Sequence, residues 1–280
     1  MIITRLKGGL GNQLFQYAIG RSLAFINNTE LKLDTHTKGW AFNLHKFNIT
    51  AEIASDEEIK RMTRFHPFDI FKPYYKRRSI NQHREHFEKR ILLAKDNVYL
   101  NGFWQSERYF RPAEDIIRKE CILRETSEKY KRILDKMKNS ESVSLHIRRT
   151  DYLNYTGPNS FPKLGDIYWR NALGLLKTKG SLDSIHLFIF SDDVKWVKNN
   201  LNLGAPTTIV SGEGFADYEE LSLMSNCDHN IIANSTFSYW GAWLNNNPNK
   251  LVIYPLNWWS DIEKNEIYTK DLTPEEWVGL

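Results

Sequence analysis

The chain has 280 residues, 41% of them hydrophobic, with a formal charge of +4, 15 glycines, 9 prolines and two cysteines. Such a length supports one large or two medium domains with a full core, and the glycine and proline content excludes low-complexity disorder. So small a positive charge gives no footing for nucleic-acid binding, no apolar run approaches the ~20 residues of a membrane span, and Cys121 and Cys227 lie too far apart for a metal-ligand motif.

In chain order, Ile2–Leu6 reads as a short apolar strand that begins directly after Met1, leaving no room for a secretory signal. With both cysteines expected as reduced thiols, the expected location is the cytoplasm. The turn Lys7-Gly8-Gly9-Leu10-Gly11-Asn12-Gln13 follows. It opens a helix over Gly11–Ile26 that sets Leu14, Phe15, Ala18, Leu23 and Phe25 on a broad apolar face. Glycines there let the backbone approach a ligand, and the helix N-terminus favours an anion. One reading is a dinucleotide fingerprint, since Gly9 and Gly11 are correctly spaced and Asp34 ends the next strand, Leu31–Asp34. Leu14, however, stands where the third glycine belongs.

Lys60–Lys95 departs from the average, with eleven Lys or Arg against Asp69, Glu85 and Glu88. Phe65, Phe68, Phe71, Tyr74 and Tyr75 are interleaved with these cations. Two readings apply: an ordinary solvated surface with aromatics tucked inward, or a patch that docks on an acidic acceptor or on anionic headgroups at the inner face of a membrane.

A strand over Val98–Phe103 and a charged helical stretch over Ser127–Ser140 precede the strand Val143–Ile147. The domain boundary is expected near Glu125–Ser140, dividing the chain into 1–130 and 131–280. Helical patterns at Ile167–Lys177, Val194–Leu201, Tyr218–Ser225 and Phe237–Asn245 alternate with strands at Ser184–Phe190, Thr207–Val210, Asn230–Ala233 and Leu251–Tyr254. That alternation predicts an α/β fold with parallel sheets.

Three polar turns follow strands in this second half. In His146-Ile147-Arg148-Arg149-Thr150-Asp151, two always-charged guanidiniums either bridge nearby acids or receive a pyrophosphate through their paired donors. In Phe190-Ser191-Asp192-Asp193, neighbouring carboxylates point to opposite sides, so joint metal chelation is not expected. One should cap the next helix; the other could accept from a base such as guanine. In Asn234-Ser235-Thr236-Phe237, small hydroxyls either cap a helix or offer donors to phosphate. With the glycine turn, these match the rule that α/β proteins bind ligands outside the carboxyl ends of their strands. Trp240 and Trp243 read as core, and Trp258-Trp259 as either packing or, of the two pairs, the better candidate for stacking on a sugar.

The order GGLGNQLFQYA (Gly8–Ala18), HIRRTDY (His146–Tyr152), FSDD (Phe190–Asp193) and ADYEELSLMSNCDHNIIANSTFSYWGAWL (Ala216–Leu244) resembles the family 11 α-1,2-fucosyltransferases across nearly the whole chain. The resemblance implies a GT-B-like fold of two Rossmann-like α/β domains with the donor site in the cleft between them. The first domain would take the acceptor and carry the glycine loop; the second would bind GDP-fucose. It also implies inverting, metal-independent transfer of L-fucose from GDP-β-L-fucose to the 2-hydroxyl of a galactose-terminated glycan, an oligosaccharide or O-antigen, free or lipid-linked. No cofactor beyond the donor is implied. Arg148 would hold the β-phosphate and His146 would contact the nucleotide, with Arg149 and Asp151 supporting them. Asp193 would read guanine, Ser235, Thr236 and Phe237 would line the diphosphate, and Gly9, Gly11 and Asn12 would approach the donor. No general base is assigned, since Asp151, Asp166, Glu213 and Asp217 are all available. The rivals are an NAD(P)-dependent oxidoreductase built on Gly9, Gly11 and Asp34, and a non-catalytic nucleotide-sugar-binding protein.

Overall fold

The computed structural model describes all residues except 38, 85, 151, 153–159, 181 and 183. Asp151, nominated above as a site residue, lies outside the described residues, as does Glu85. The chain forms two compact units. One comprises Met1–Ile122 with Ile267–Pro274, the other Leu123–Glu266 with Glu275–Leu280. This differs from a simple cut at residue 130, which falls inside a helix, and the late segment of the first unit had no counterpart in the sequence reading.

The first unit runs β1 (Ile2–Arg5), α1 (Leu10–Ile26), β2 (Leu31–Asp34), β3 (Glu52–Ile53), α2 (Asp56–Thr63), β4 (Ser79–Asn81), β5 (Val98–Asn101) and α3 (Glu114–Glu120). Its strands form one parallel sheet in the order β3-β2-β1-β5-β4. The order reverses direction between β1 and β5, so loops leaving those two strands flank the crevice where such sheets bind ligands. α1 packs close because Gly20 has no side chain: a Cβ there would run into Thr4 Oγ1 and come 2.7 Å from Leu31 Cδ1. α2 starts at Ser55, whose hydroxyl accepts the Glu58 N–H while the Glu58 carboxylate accepts the Ser55 N–H, a reciprocal capping box.

From the second unit's start the elements are α4 (Glu128–Lys138), β6 (Glu141–Ile147), α5 (Asp166–Gly180), β7 (Ile185–Ser191), α6 (Val194–Asn200), β8 (Thr207–Ile209), α7 (Asp217–Ser225), β9 (His229–Ile231), α8 (Thr236–Trp243), β10 (Val252–Tyr254), α9 (Ile262–Thr269), whose residues from Ile267 on belong to the first unit, and β11 (Val278–Gly279). The sheet is parallel with the order β11-β10-β9-β6-β7-β8. Counted within the unit, this is the Rossmann order, with its reversal between β6 and β9.

Strand β6 explains why that reversal point is well defined. Val143, Leu145 and Ile147 point into a core shared with Trp169, Ala172 and Leu176 of α5 and with Leu187 and Ile189 of β7. The opposite face carries Ser142, Ser144 and His146, and it is buried too. Asn230 donates to Ser144 Oγ at 2.7 Å, Asn245 donates to Asn230 Oδ1 at 2.8 Å, and Ser142 donates to Asp228 Oδ2 at 2.7 Å. Each buried group left unmet would cost about 1–3 kcal/mol, so this network fixes strand register.

The basic stretch differs from the tucked-inward reading. Pro67 starts a 3-10 turn, Pro67–Phe71, and Phe65, Phe68 and Phe71 are 72%, 69% and 86% exposed. Both cysteines are free and buried. Among the described residues, no helix is long and apolar enough to cross a membrane.

Candidate active site

The strongest cluster lies at the reversal point of the second unit. Leu145 is registered against Ile231 of β9, and Ile147 against Ser191 of β7. The turns after these three adjacent strands therefore emerge side by side, bringing Arg148 and Arg149 next to Asp192 and Asp193, with Ser235, Thr236 and Phe237 on the other flank.

Asp192 organises the arginine turn. Its Oδ1 accepts the Arg149 N–H at 2.9 Å, and its Oδ2 accepts the Thr150 hydroxyl at 2.6 Å and the Thr150 N–H at 3.2 Å. The same Oδ2 lies 3.2 Å from Arg148 Nε. Asp193 has two duties: Oδ1 accepts the Trp196 N–H at 3.0 Å as the α6 cap, and Oδ2 lies 3.5 Å from Arg149 Nε. The bridging alternative from the sequence thus describes the geometry, with each arginine pairing one aspartate through Nε. A guanidinium carries five N–H donors in a fixed fork, so such a pair does not exhaust it, and the carboxylates fix where the fork points. Arg149 also lies over the Trp196 ring at 3.8 Å, and Arg148 is 5.9 Å from the Tyr152 ring.

Ser235 takes the capping role, its Oγ accepting the Phe237 N–H at 3.3 Å at the start of α8. Phe237 faces His146, with ring centroids 5.7 Å apart. His146, Arg148, Arg149, Ser235, Thr236 and Phe237 therefore belong to one end of one sheet. Trp240 and Trp243 are core, as read from the sequence. Trp258 is buried, while Trp259 packs on Phe161 at 4.6 Å with Lys264 Nζ 3.4 Å from its ring centroid.

Glu220 of α7 was not singled out from the sequence, where it looks like one more acid in a helix's first turn. It is partly buried. Ser211 Oγ donates to its Oε2 at 2.9 Å and accepts the Ser191 N–H at 2.9 Å. Burial pushes its carboxyl up to about 7, with Asp217 adding to the rise and Ser211 opposing it. A strongly perturbed acid two hydrogen bonds from the Asp192 turn marks a functional candidate.

Gly9, Gly11 and Asn12 lie in the first unit at its own reversal point. Gly8 adopts φ +82, which a side chain would strain, and Gly9 precedes α1 in extended conformation. Asn12 Oδ1 accepts from Gln105 Nε2 at 2.9 Å, joining the first turn of α1 to the loop after β5. Trp104 in that loop holds φ 56 although fully buried, and Gln82 Oε1 accepts the N–H groups of Phe103 and Trp104 at 2.7 and 3.1 Å. Backbone held in this sparse region is a mark of functional loops. Asp34 is committed elsewhere: it accepts from the Tyr99 hydroxyl at 2.6 Å and from the His36 N–H at 3.0 Å. Burial would raise its pKa, yet these donors hold it below the usual carboxylate range. The ribose-binding role of the oxidoreductase rival therefore lacks its carboxylate.

Comparison with known proteins identifies relatives over the full chain. An alpha-1,2-colitosyltransferase from Escherichia coli is 34% identical over 300 residues, covering 100% of this chain and 99% of that protein. The galactoside alpha-(1,2)-fucosyltransferase 1 of Bos taurus is 25% identical over 290 residues, covering 98% of this chain and 74% of its own length. Among solved structures, the R284K mutant of Arabidopsis thaliana FUT1 in complex with GDP superposes with a TM-score of 0.53 at 11% identity, covering 90% of this chain and 70% of that one. That likeness supports the α/β, GT-B-like fold. The model of glycosyl transferase family 11 matches residues 1–280, and the chain belongs to that family.

Proposed function

We propose that this glycosyltransferase moves a 6-deoxy sugar of the L-fucose type from its GDP conjugate to the 2-hydroxyl of a terminal galactoside on a glycan. Transfer inverts the anomeric centre and needs no metal ion. The observation that carries the reading is the pair of guanidiniums, Arg148 and Arg149, held by Asp192 and Asp193 at the reversal point of a Rossmann-ordered sheet.

The chemistry follows from that placement. The acceptor oxygen attacks the anomeric carbon as the bond to the β-phosphate oxygen breaks, and the acceptor proton leaves to solvent or a base. Negative charge grows on the departing diphosphate, and fixed cations aimed at it stabilise the separation. Two guanidiniums supply the charge that a divalent cation supplies elsewhere. Ser235 and Thr236 at the α8 N-terminus add donors on the same side, where a helix start favours an anion. With both Asp193 oxygens engaged, Glu220 joins it as a candidate for the guanine donors.

Donor identity is drawn from two relatives, one named for colitose and one for fucose. Colitose is L-fucose without its 3-hydroxyl, and a site that hydrogen-bonds that hydroxyl rejects the deoxy sugar strongly. Fucose is our reading from the motifs. The test is GDP release from GDP-fucose and GDP-colitose across a panel of β-galactosides, beside thermal unfolding with GDP, UDP and NAD. GDP alone should stabilise, by about 2.7 kcal/mol at a hundredfold excess over Kd. Stabilisation by NAD, or turnover with neither donor, would overturn the proposal; turnover with GDP-colitose alone would replace the sugar and keep the rest.

A further inference from the structure

We infer that the turn Phe65–Phe71 and the cations around it form a docking surface for an anionic lipid bilayer. Four large apolar side chains, Phe65, Phe68, Ile70 and Phe71, stand 62–86% exposed within seven residues. Single exposed apolar residues are ordinary, whereas a contiguous group marks an interaction site. The turn is held in place rather than loose: Asp69 Oδ1 accepts from Lys72 Nζ at 2.8 Å and Oδ2 accepts the Arg78 N–H at 3.2 Å. That use turns the turn's own acid inward, to 17% side-chain exposure.

Charge selects the partner. Lys60, Arg61, Arg64 and Lys76 are exposed in the same stretch of chain as the four apolar side chains, beside Lys72, whose ammonium is paired with Asp69. The acids Asp56, Glu57 and Glu58 belong to the opposite, first turn of α2, where Glu58 is tied to Lys32 Nζ at 2.6 Å. Exposed aromatics ringed by Lys and Arg match the depth profile of a bilayer interface, with rings at the acyl boundary and cations among phosphates. A protein partner would need a complementary acidic rim, and a second copy of this chain would set cation against cation.

The test is co-sedimentation of the full chain with vesicles of phosphatidylglycerol or of phosphatidylcholine, using the wild type, F68S/F71S and R64E. Wild type should sediment with the anionic vesicles, and less so as salt rises from about 0.05 to 0.5 M. F68S/F71S should partition at least ~10-fold less, and R64E ~5-fold less or lower, with GDP-dependent thermal stabilisation unchanged in both. Equal sedimentation of F68S/F71S would overturn the proposal, as would no sedimentation of wild type. So would self-association in ultracentrifugation that those serines abolish, which would make the patch an interface between copies.

Discussion

Asp192 Oδ2 lies 3.2 Å from Arg148 Nε, and the same carboxylate accepts the backbone N–H of Arg149 through its other oxygen. One acid at the end of β7 thus sets both the direction of a guanidinium and the path of the chain that carries it. Asp192→Ala should therefore lower kcat/KM for the donor by about 10–100-fold, the equivalent of one or two charged hydrogen bonds. Asp192→Asn, which keeps one acceptor oxygen and the shape, should lose less. Steady-state kinetics beside circular dichroism decides; an unchanged Ala variant would remove Asp192 from the site.

Arg148→Ala removes a cation aimed at the leaving group. By the yardstick of one lost oxyanion donor it should cost ~3 kcal/mol or more, about 10²-fold in kcat. Arg148→Lys should not restore the rate, because an ammonium is a point charge without the planar fork. Single-turnover GDP release measures both, and a Lys variant at full rate would show that charge alone suffices.

The fold was legible where strands are covered on both faces. β1, β2, β5, β6, β7, β9 and β10 coincide with predicted strands because these central parallel strands are covered on both faces; β8, an edge, was found through its β-branched Thr207-Thr208-Ile209. β3, β4 and β11 escaped, and all three are sheet edges of two or three residues with no apolar run to betray them. The site was legible in its turns and not in its wiring. Arg148 and Arg149 stand out as an adjacent pair, but nothing local says that Asp192 rather than Asp193 holds the turn, because that depends on the register of β6 against β7. Glu220 was invisible for a similar reason: its hydrogen-bond partner, Ser211, comes from the chain after β8 and not from its own helix.

Glu220 makes a pH-dependent prediction. Its folded pKa of about 7 lies above the usual 4.5, so the folded chain binds this proton more tightly than the unfolded chain. The penalty is absent below about pH 4.5, grows as pH rises and levels off above about 7. Glu220→Gln should stabilise the protein by about 2–3 kcal/mol at pH 8 relative to wild type and by nothing near pH 4.5. Denaturant melts at the two pH values test this; equal effects at both would place the carboxyl in ordinary solvent. If Glu220 reads guanine, the same variant should weaken GDP binding at pH 8 as well, since an amide replaces one acceptor with a donor.

Two glycines in helices should respond oppositely to alanine. By propensity alone, either change gains about 1 kcal/mol. At Gly174 in α5 nothing lies within 4 Å of the new Cβ, so Gly174→Ala should stabilise by about 0.5–1 kcal/mol. At Gly20 the same atom meets Thr4 Oγ1 on β1 and Leu31 Cδ1 on β2. The leucine methyl can rotate away, but the threonine belongs to a central strand whose position is fixed by both neighbours. Overpacking of this kind costs about 1–3 kcal/mol, enough to reverse the propensity gain. Gly20→Ala should therefore be net destabilising while Gly174→Ala is stabilising. Thermal or urea unfolding of the two variants checks the sign, and a stabilised Gly20→Ala would mean that α1 can lift from the sheet.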